Sequence, residues 1–338
     1  MNPNWRSFLQ SANGVFDGES AELINFGDTR AELTAASEST VLVPLCHLGL
    51  VEASGEDAKS FLHSQFTNDI NHLTETQVQH AGWCTAKGRM QASFLVWRTG
   101  SSYQMTISAD LQEAAQKRLQ MFVLRSKVKL AAITDSHLLL GLSGKQAEAA
   151  LADAGLPCPT DKMTTASVGD TTVLRIEAMR FIIVAPESTA QELWQKLVVK
   201  ARPAGLPVWR WLDVQAAFPL VTLATKEEFV PQMADFEKIG GVSFQKGCYP
   251  GQEIVARTQY LGKVKRHLYR MTSAQALSAG DALFSPDNPD QACGMVMTSA
   301  PSPAGDYVAL AVIQSNFAHN VHLESREGPV VHTAAVNP

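Results

Sequence analysis

No run of apolar residues in this sequence is long enough to cross a bilayer, so no membrane partner is expected. The first ten residues, which include Trp5, Arg6 and Gln10, have no apolar signal core, so the expected location is cytoplasmic. An excess of basic charge is also missing: 28 Lys and Arg stand against 33 Asp and Glu, a net charge of −5. That balance argues against bulk attraction to nucleic acid, and direct RNA binding is not expected, although a local basic patch is not excluded. The five cysteines, Cys46, Cys84, Cys158, Cys248 and Cys293, are scattered and never spaced C-x-x-C. This argues against a disulfide framework and fits a reducing compartment. A zinc site or a resident iron–sulfur cluster needs several thiolates or imidazoles to converge, so no metal ligand set is assigned. Short-period repeats and low-complexity tracts are absent.

What remains is a chain with 45% apolar and 18% charged residues, the balance of a globular protein with sizeable cores. Its 338 residues exceed what one core usually holds, so two or three domains are expected. The first clear unit opens with a strand over 48–53. Ser54 then reads as an N-cap, with Asp57 at capping-box spacing before a helix carrying Phe61, Leu62 and Phe66. Strands follow over 78–85, 90–98 and 103–108. A helix with the stripe Leu111, Ala115, Leu119, Phe122 and Val123 comes next, then a last strand through Val128, Leu130 and Ile133. The order β-α-β-β-(β)-α-β is close to a ferredoxin-like split unit.

A second unit opens with a strand over 137–142. Ser143 and Gln146 have capping-box spacing before an Ala-rich helix that Gly155 would stop. Strands over 171–176 and 181–184 and a helix over 187–201 follow. Periodicity does not decide whether 209–218 is helical or extended. Beyond Gly262 short strands alternate with Gly, Pro, Asn and Ser, the pattern of a small β-barrel or sandwich, with a loosely held tail from Arg326.

The stretch richest in chemistry is Lys246-Gly247-Cys248-Tyr249-Pro250-Gly251-Gln252-Glu253. Two glycines and a proline specify a tight loop with room for close approach. Lys246, two residues from the thiol, would favour its thiolate. Gln252 and Glu253 add amide and carboxylate groups. The plainer alternative also stands: a lone cysteine is commonly a small buried hydrophobe, and glycines in a loop commonly just make a turn. The basic stretch Lys263, Lys265, Arg266, His267 and Arg270 would suit a polyglutamate tail, an acidic client or RNA, or would be a solvated strand face.

The loop resembles the signature K-G-C-[FY]-x-G-Q-E of the YgfZ family and matches it at every fixed position. Further segments are similar to that family: 61–69 (FLHSQFTND), 84–90 (CTAKGRM), 211–219 (WLDVQAAFP), 229–232 (FVPQ), 240–244 (GGVSF) and 260–262 (YLG). The resemblance implies an α+β, three-domain fold like the T-protein of the glycine cleavage system (an aminomethyltransferase-like fold). It would comprise a discontinuous first domain over 1–51 and 134–243, a ferredoxin-like second domain over 52–133, and the signature loop with a C-terminal β-barrel over 244–338. It implies tetrahydrofolate or a derivative, bound non-covalently. It also implies a role in assembling or repairing iron–sulfur clusters of client enzymes, radical tRNA-modifying enzymes among them, with Cys248 as the reactive thiol beside Lys246. A transient iron or iron–sulfur cluster at Cys248 is part of that implication, and a monomer is expected.

Aminomethyl transfer in the related T-protein depends on an acidic pair. Aligned through Gly88, those positions are Ala92 and Ser93, and neither supplies a carboxylate. An accessory protein is therefore expected over the alternative, a folate-dependent one-carbon transferase. The same alignment offers His80, Ser93 and Trp97, with Asp213 and Gln215, as pterin contacts. Trp97 would equally serve as core, and His80 as a surface residue. Gln215 and Thr85 stand where relatives carry acidic residues.

Overall fold

The computed structural model describes residues 1–18, 22–288 and 290–336. The chain forms two compact units, one of 1–58, 72–79 and 95–209, the other of 59–71, 80–94 and 210–338.

The first unit begins with a helix, Pro3–Ser11, started by Asn2, whose side chain accepts from the Trp5 N–H at 3.1 Å, and by Pro3 in the first turn. Its buried face carries Trp5 and Leu9 into a cluster with Trp194, against whose ring Trp5 stands edge-on at 6.0 Å. That cluster lies against a six-stranded sheet in the order Thr164–Val168, Thr171–Glu177, Arg180–Pro186, His137–Gly144, Thr40–Pro44, Arg202–Pro203. All pairs are antiparallel except the last.

The β-α-β-β-β-α-β order expected from the sequence is present as Leu48–Ser54, Ala58–Gln65, Val78–Cys84, Met90–Thr99, Ser102–Ser108, Ala109–Val123 and Lys129–Ala132. The five strands make one sheet in the order Val78–Cys84, Met90–Thr99, Ser102–Ser108, Leu48–Ser54, Lys129–Ala132. The Ala109–Val123 helix buries Leu111, Ala115, Leu119 and Val123, while Phe122 turns outward, because the i, i+4 spacing is continued by Val123.

Two expected caps are displaced. Ser54 pairs with Lys129 as the last residue of its strand, and Gly55 (φ 110) makes the turn. Asp57 instead accepts from the Lys127 N–H at 2.8 Å. Ser143 likewise stays in its strand opposite Arg180, and Gln146 takes the cap position of the Ala147–Asp153 helix without a side-chain bond. In both places ladder pairing claims the residue that local spacing assigns to the helix. Gly155 follows the helix end with φ 75, as expected of a stop. The undecided segment is helical over Leu206–Ala216.

The second unit contains a closed barrel in the order Arg266–Ser273, Tyr307–Gln314, Gly294–Pro301, Ala282–Phe284, Val321–Leu323, Val330–Ala335. The expected loose tail is thus corrected: Val330–Ala335 pairs with both Arg266–Ser273 and Val321–Leu323 and closes the barrel. Closure removes two open edges, and Val331 is buried inside. The Tyr307–Gln314 strand is buried on both faces. Ala309, Ala311 and Ile313 fill the barrel, while Val308, Leu310 and Val312 pack with Val214 and Phe229.

Candidate functional site

The Cys248 loop lies in the second unit and is built from parts far apart in sequence. Lys246 sits 7% exposed, and its ammonium donates to the main-chain oxygens of His63 and, at 2.6 Å, Phe66. It caps the C-terminal end of the Ala58–Gln65 helix, where carbonyls lack intrahelical donors and the dipole favours a cation. The ammonium also stands 4.8 Å from the centre of the Tyr249 ring. Burial drives its pKa down to about 8, while the charges of Asp69 and Cys248 pull it back upward. Lys246 is thus a structural pin of the loop as well as a cation that interacts with the charge of Cys248.

Lys246→Met is expected to cost about 2 kcal/mol, because two carbonyls lose their donor. Since the folded-state pKa lies below the ordinary 10.5, the unfolded chain binds more protons between the two values. Wild-type stability should accordingly rise between about pH 8 and about pH 10.5, and the Met variant should lose that slope. Urea denaturation across that range checks both.

The other end of the loop is fixed by contact. Gly251 has φ 83, and a Cβ there would lie 2.3 Å from the Thr85 oxygen and 2.7 Å from the Gly88 Cα. The 84–90 motif forms a tight turn in which the Thr85 and Arg89 main chains bond each other and the Gly88 N–H donates to the Thr85 oxygen. This is the turn on which the signature loop rests. Gly251 then starts the Gln252–Tyr260 helix, and Gln232 donates to the Val255 oxygen at 2.8 Å. The 240–244 segment joins the same structure. Thr67 Oγ1 donates to the Gly241 oxygen at 2.6 Å, and Asn68 Nδ2 to the Gly240 oxygen at 2.7 Å. The 61–69, 84–90, 229–232 and 240–244 segments thus meet around one loop.

Between these anchors Cys248 is exposed, while Tyr249 is buried, its hydroxyl pKa pushed up by burial and then by Cys84. Of the other four thiols, Cys84 and Cys293 are buried and Cys46 and Cys158 are half-buried. Burial pushes Cys46 and Cys84 up to about 12 and Cys293 to about 11, and it raises Cys158 as well. His63, which the sequence singled out only as part of a motif, is the residue missed. A Cβ on Gly247 would lie 3.5 Å from its Nε2, and its Nδ1 stands 3.2 Å from Asp69 Oδ1. The sequence signal was the i, i+6 pair His63 and Asp69 across a helix end, too common to stand out. Gln252 Nε2 reaches the Lys246 oxygen at 3.4 Å, and Glu253 is exposed.

Four of the expected pterin contacts lie in the second unit. His80 is buried rather than on the surface, its ring 5.0 Å from that of Phe218 and 6.1 Å from that of Phe236. Ser93 is buried with its hydroxyl accepting from the Val221 N–H at 2.9 Å. Asp213 is a buried carboxylate, and Gln215 is exposed. Trp97, in the first unit, is fully buried, with no hydrogen-bond partner for its indole N–H. Ala92, where a transferase would carry acid, is buried. Among the described residues no group of three His, Cys, Asp or Glu is placed to hold a metal, and no helix is long and apolar enough to cross a membrane.

The architecture and the site together define an aminomethyltransferase-like protein. Residues 14–237 match the family described as GCVT N-terminal domain. The glycine cleavage system aminomethyltransferase T from Bartonella henselae superposes over 100% of this chain and 97% of its own, with TM-score 0.83 and 19% identity. Within that class the chain belongs to the YgfZ family. It is 34% identical over 247 residues to the tRNA-modifying protein YgfZ of Escherichia coli O17:K52:H18 (strain UMN026 / ExPEC), covering 72% of this chain and 76% of that one. It is similar to the same degree and extent to the protein of that name from Shigella boydii serotype 4 (strain Sb227).

Proposed function

We propose that this protein is a tetrahydrofolate-binding accessory factor that supports assembly or repair of iron–sulfur clusters in client enzymes, including radical enzymes that modify tRNA. Cys248 is its reactive thiolate. The observation that carries the reading is the exposure of Cys248 on a loop pinned at both ends, in a chain whose other described thiols are buried or half-buried. The printed name of the relatives, tRNA-modifying protein, agrees with clients of that kind.

The chemistry assigned to the loop is modest. His63, steadied by Asp69 and beside Gly247 of the same loop, is the candidate acceptor for the thiol proton. One thiolate is too few to hold a cluster, so the remaining ligands of any iron it touches come from the client, and the contact is transient. Lys246 keeps the loop where the thiol is presented.

The residues fit a folate in part. His80 with Phe218 offers a stacking surface, and Asp213 a buried acceptor for a pterin amino edge. Trp97, fully buried in the first unit, is not retained as a contact. Ser93 is already engaged with Val221, and Gln215 faces outward, so neither is retained as a contact. The folate itself would supply one-carbon chemistry, and with Ala92 and Ser93 in place of acids this chain brings no carboxylate to it from those positions.

Anaerobic calorimetric titration with tetrahydrofolate tests this part. Saturable micromolar binding is expected, unchanged in Cys248→Ala, with no methylene-tetrahydrofolate formed from aminomethyl donors. Absence of binding up to millimolar ligand would remove folate from the account.

A further inference from the structure

The charge of this protein is unevenly placed. In the second unit a groove of about 730 Å³ is lined by Lys87, Arg89, Arg257, Lys263, Lys265 and Arg266, and no carboxylate is among its lining residues. Of these six, Lys87, Arg257, Lys263 and Lys265 are exposed. Among the described residues none of the six is within ion-pair distance of a carboxylate. Arg89 donates to the main-chain oxygen of Glu228, which leaves its charge uncompensated. By contrast, two members of the basic stretch in the sequence are spent elsewhere. His267 Nδ1 stands 2.8 Å from Asp235, and Arg270 donates to the Val214 and Gln215 oxygens. The groove therefore recruits cations that the linear stretch does not contain, from the 84–90 turn and the Gln252–Tyr260 helix.

The groove also carries apolar groups facing water. Ile254 and Leu261 line it, and Leu261 is 83% exposed. Tyr260, next to Leu261 in the chain, is 69% exposed, with its ring edge-on to Phe244 at 5.9 Å. Six unpaired cations in a protein of net charge −5 are mutually repulsive, a cost that an anionic occupant relieves. Cations alone would suit any polyanion. Cations interleaved with exposed apolar and aromatic side chains suit one whose charges alternate with flat, stackable rings.

We infer that this groove binds single-stranded RNA, with the lysines and arginines on phosphates and Tyr260, Leu261 and Ile254 against bases. Recognition is through the backbone and by stacking, without a base code, and it requires neither Cys248 nor folate. Bulk charge argued against nucleic acid, and that argument fails here because the cations are gathered on one surface.

The test uses the full-length protein and a fluorescein-labelled oligouridylate, read by anisotropy at low salt, with polyglutamate as competitor. Saturable binding is expected, with log Kd rising against log salt with a slope of about 3 to 4 for some five phosphates at ~0.7 each. Lys263→Glu with Lys265→Glu is expected to weaken binding at least tenfold, and Lys87→Glu, on a separate element, at least threefold. Tyr260→Ala should weaken binding while leaving the salt slope unchanged. These side chains are exposed, and unchanged thermal unfolding will confirm that the variants fold. No wild-type binding, binding insensitive to the charge reversals, or polyglutamate displacing RNA at equal charge concentration overturns the proposal. The last result would assign the groove to an acidic protein segment or a folate tail.

Discussion

Gly251→Ala is expected to destabilise the second unit by about 3 kcal/mol or more. Two costs combine. The residue has φ 83, a region that costs an L-residue with a Cβ about 1–2 kcal/mol. The new methyl would lie 2.3 Å from the Thr85 oxygen and 2.7 Å from the Gly88 Cα, both main chain in a hydrogen-bonded turn and unable to rotate aside. Forced overpacking of that kind typically costs about a further 2 kcal/mol. Gly240→Ala separates the two costs. Gly240 has φ 77, but a Cβ there meets nothing within 4 Å, so only the conformational cost of about 1–2 kcal/mol is expected. Urea denaturation of both variants gives the comparison. Equal losses would mean that the loop does not rest on the 84–90 turn. Because the loop must move to admit the methyl, Gly251→Ala should also slow alkylation of Cys248, whereas Gly240→Ala should not.

Cys248→Ala is expected to have the opposite profile: an intact fold and a large loss of function. The side chain is exposed, so its removal leaves no cavity, and the stability change should stay within about 0.5 kcal/mol. Lys246 keeps both carbonyl partners, and Gly251 keeps its seat, since neither contact involves the thiol. Client support should nevertheless fall at least tenfold, because no other described thiol takes its place. Cys84, Cys158 and Cys293 are all raised by burial, as is Cys46. Cys248→Ser keeps size and polarity but loses the soft, ionisable sulfur, and it should behave as the alanine variant does. His63→Ala should fall between the two states, since it removes a proton acceptor and not the sulfur.

The sequence was most legible where chemistry is local. Gly247, Pro250 and Gly251 announce a constrained loop around Cys248, and the loop is there, with Gly251 in the left-handed region. Alternating short strands after Gly262 announce a barrel. What could not be read were partnerships across long separations. Lys246 lies two residues from Cys248 in sequence, yet its ammonium is held by Phe66, 180 residues away. Spacing gave no sign that burial, and not proximity to the thiol, governs its pKa. Ser54 and Ser143 have the local grammar of caps but are held in strands by Lys129 and Arg180. The last barrel strand lies beyond Arg326 and buries only Val331, and it is its pairing with two other strands, which spacing does not show, that reveals it. The first helix has a plain Asn2-Pro3 start in the sequence, but the apolar pattern after it is too short to mark a helix by periodicity. The settings of His80 and Ser93 depend on Phe218 and Val221, which spacing does not connect to them.

The most direct test of the account is tRNA modification by a radical iron–sulfur enzyme in cells lacking the native factor and supplied with this protein. The modified nucleoside is quantified by mass spectrometry, for wild type and Cys248→Ala at matched protein levels. Restoration by wild type, with background levels in Cys248→Ala, is the predicted result. Equal restoration by both would contradict the assignment of Cys248 as the working group and leave the loop a purely structural feature.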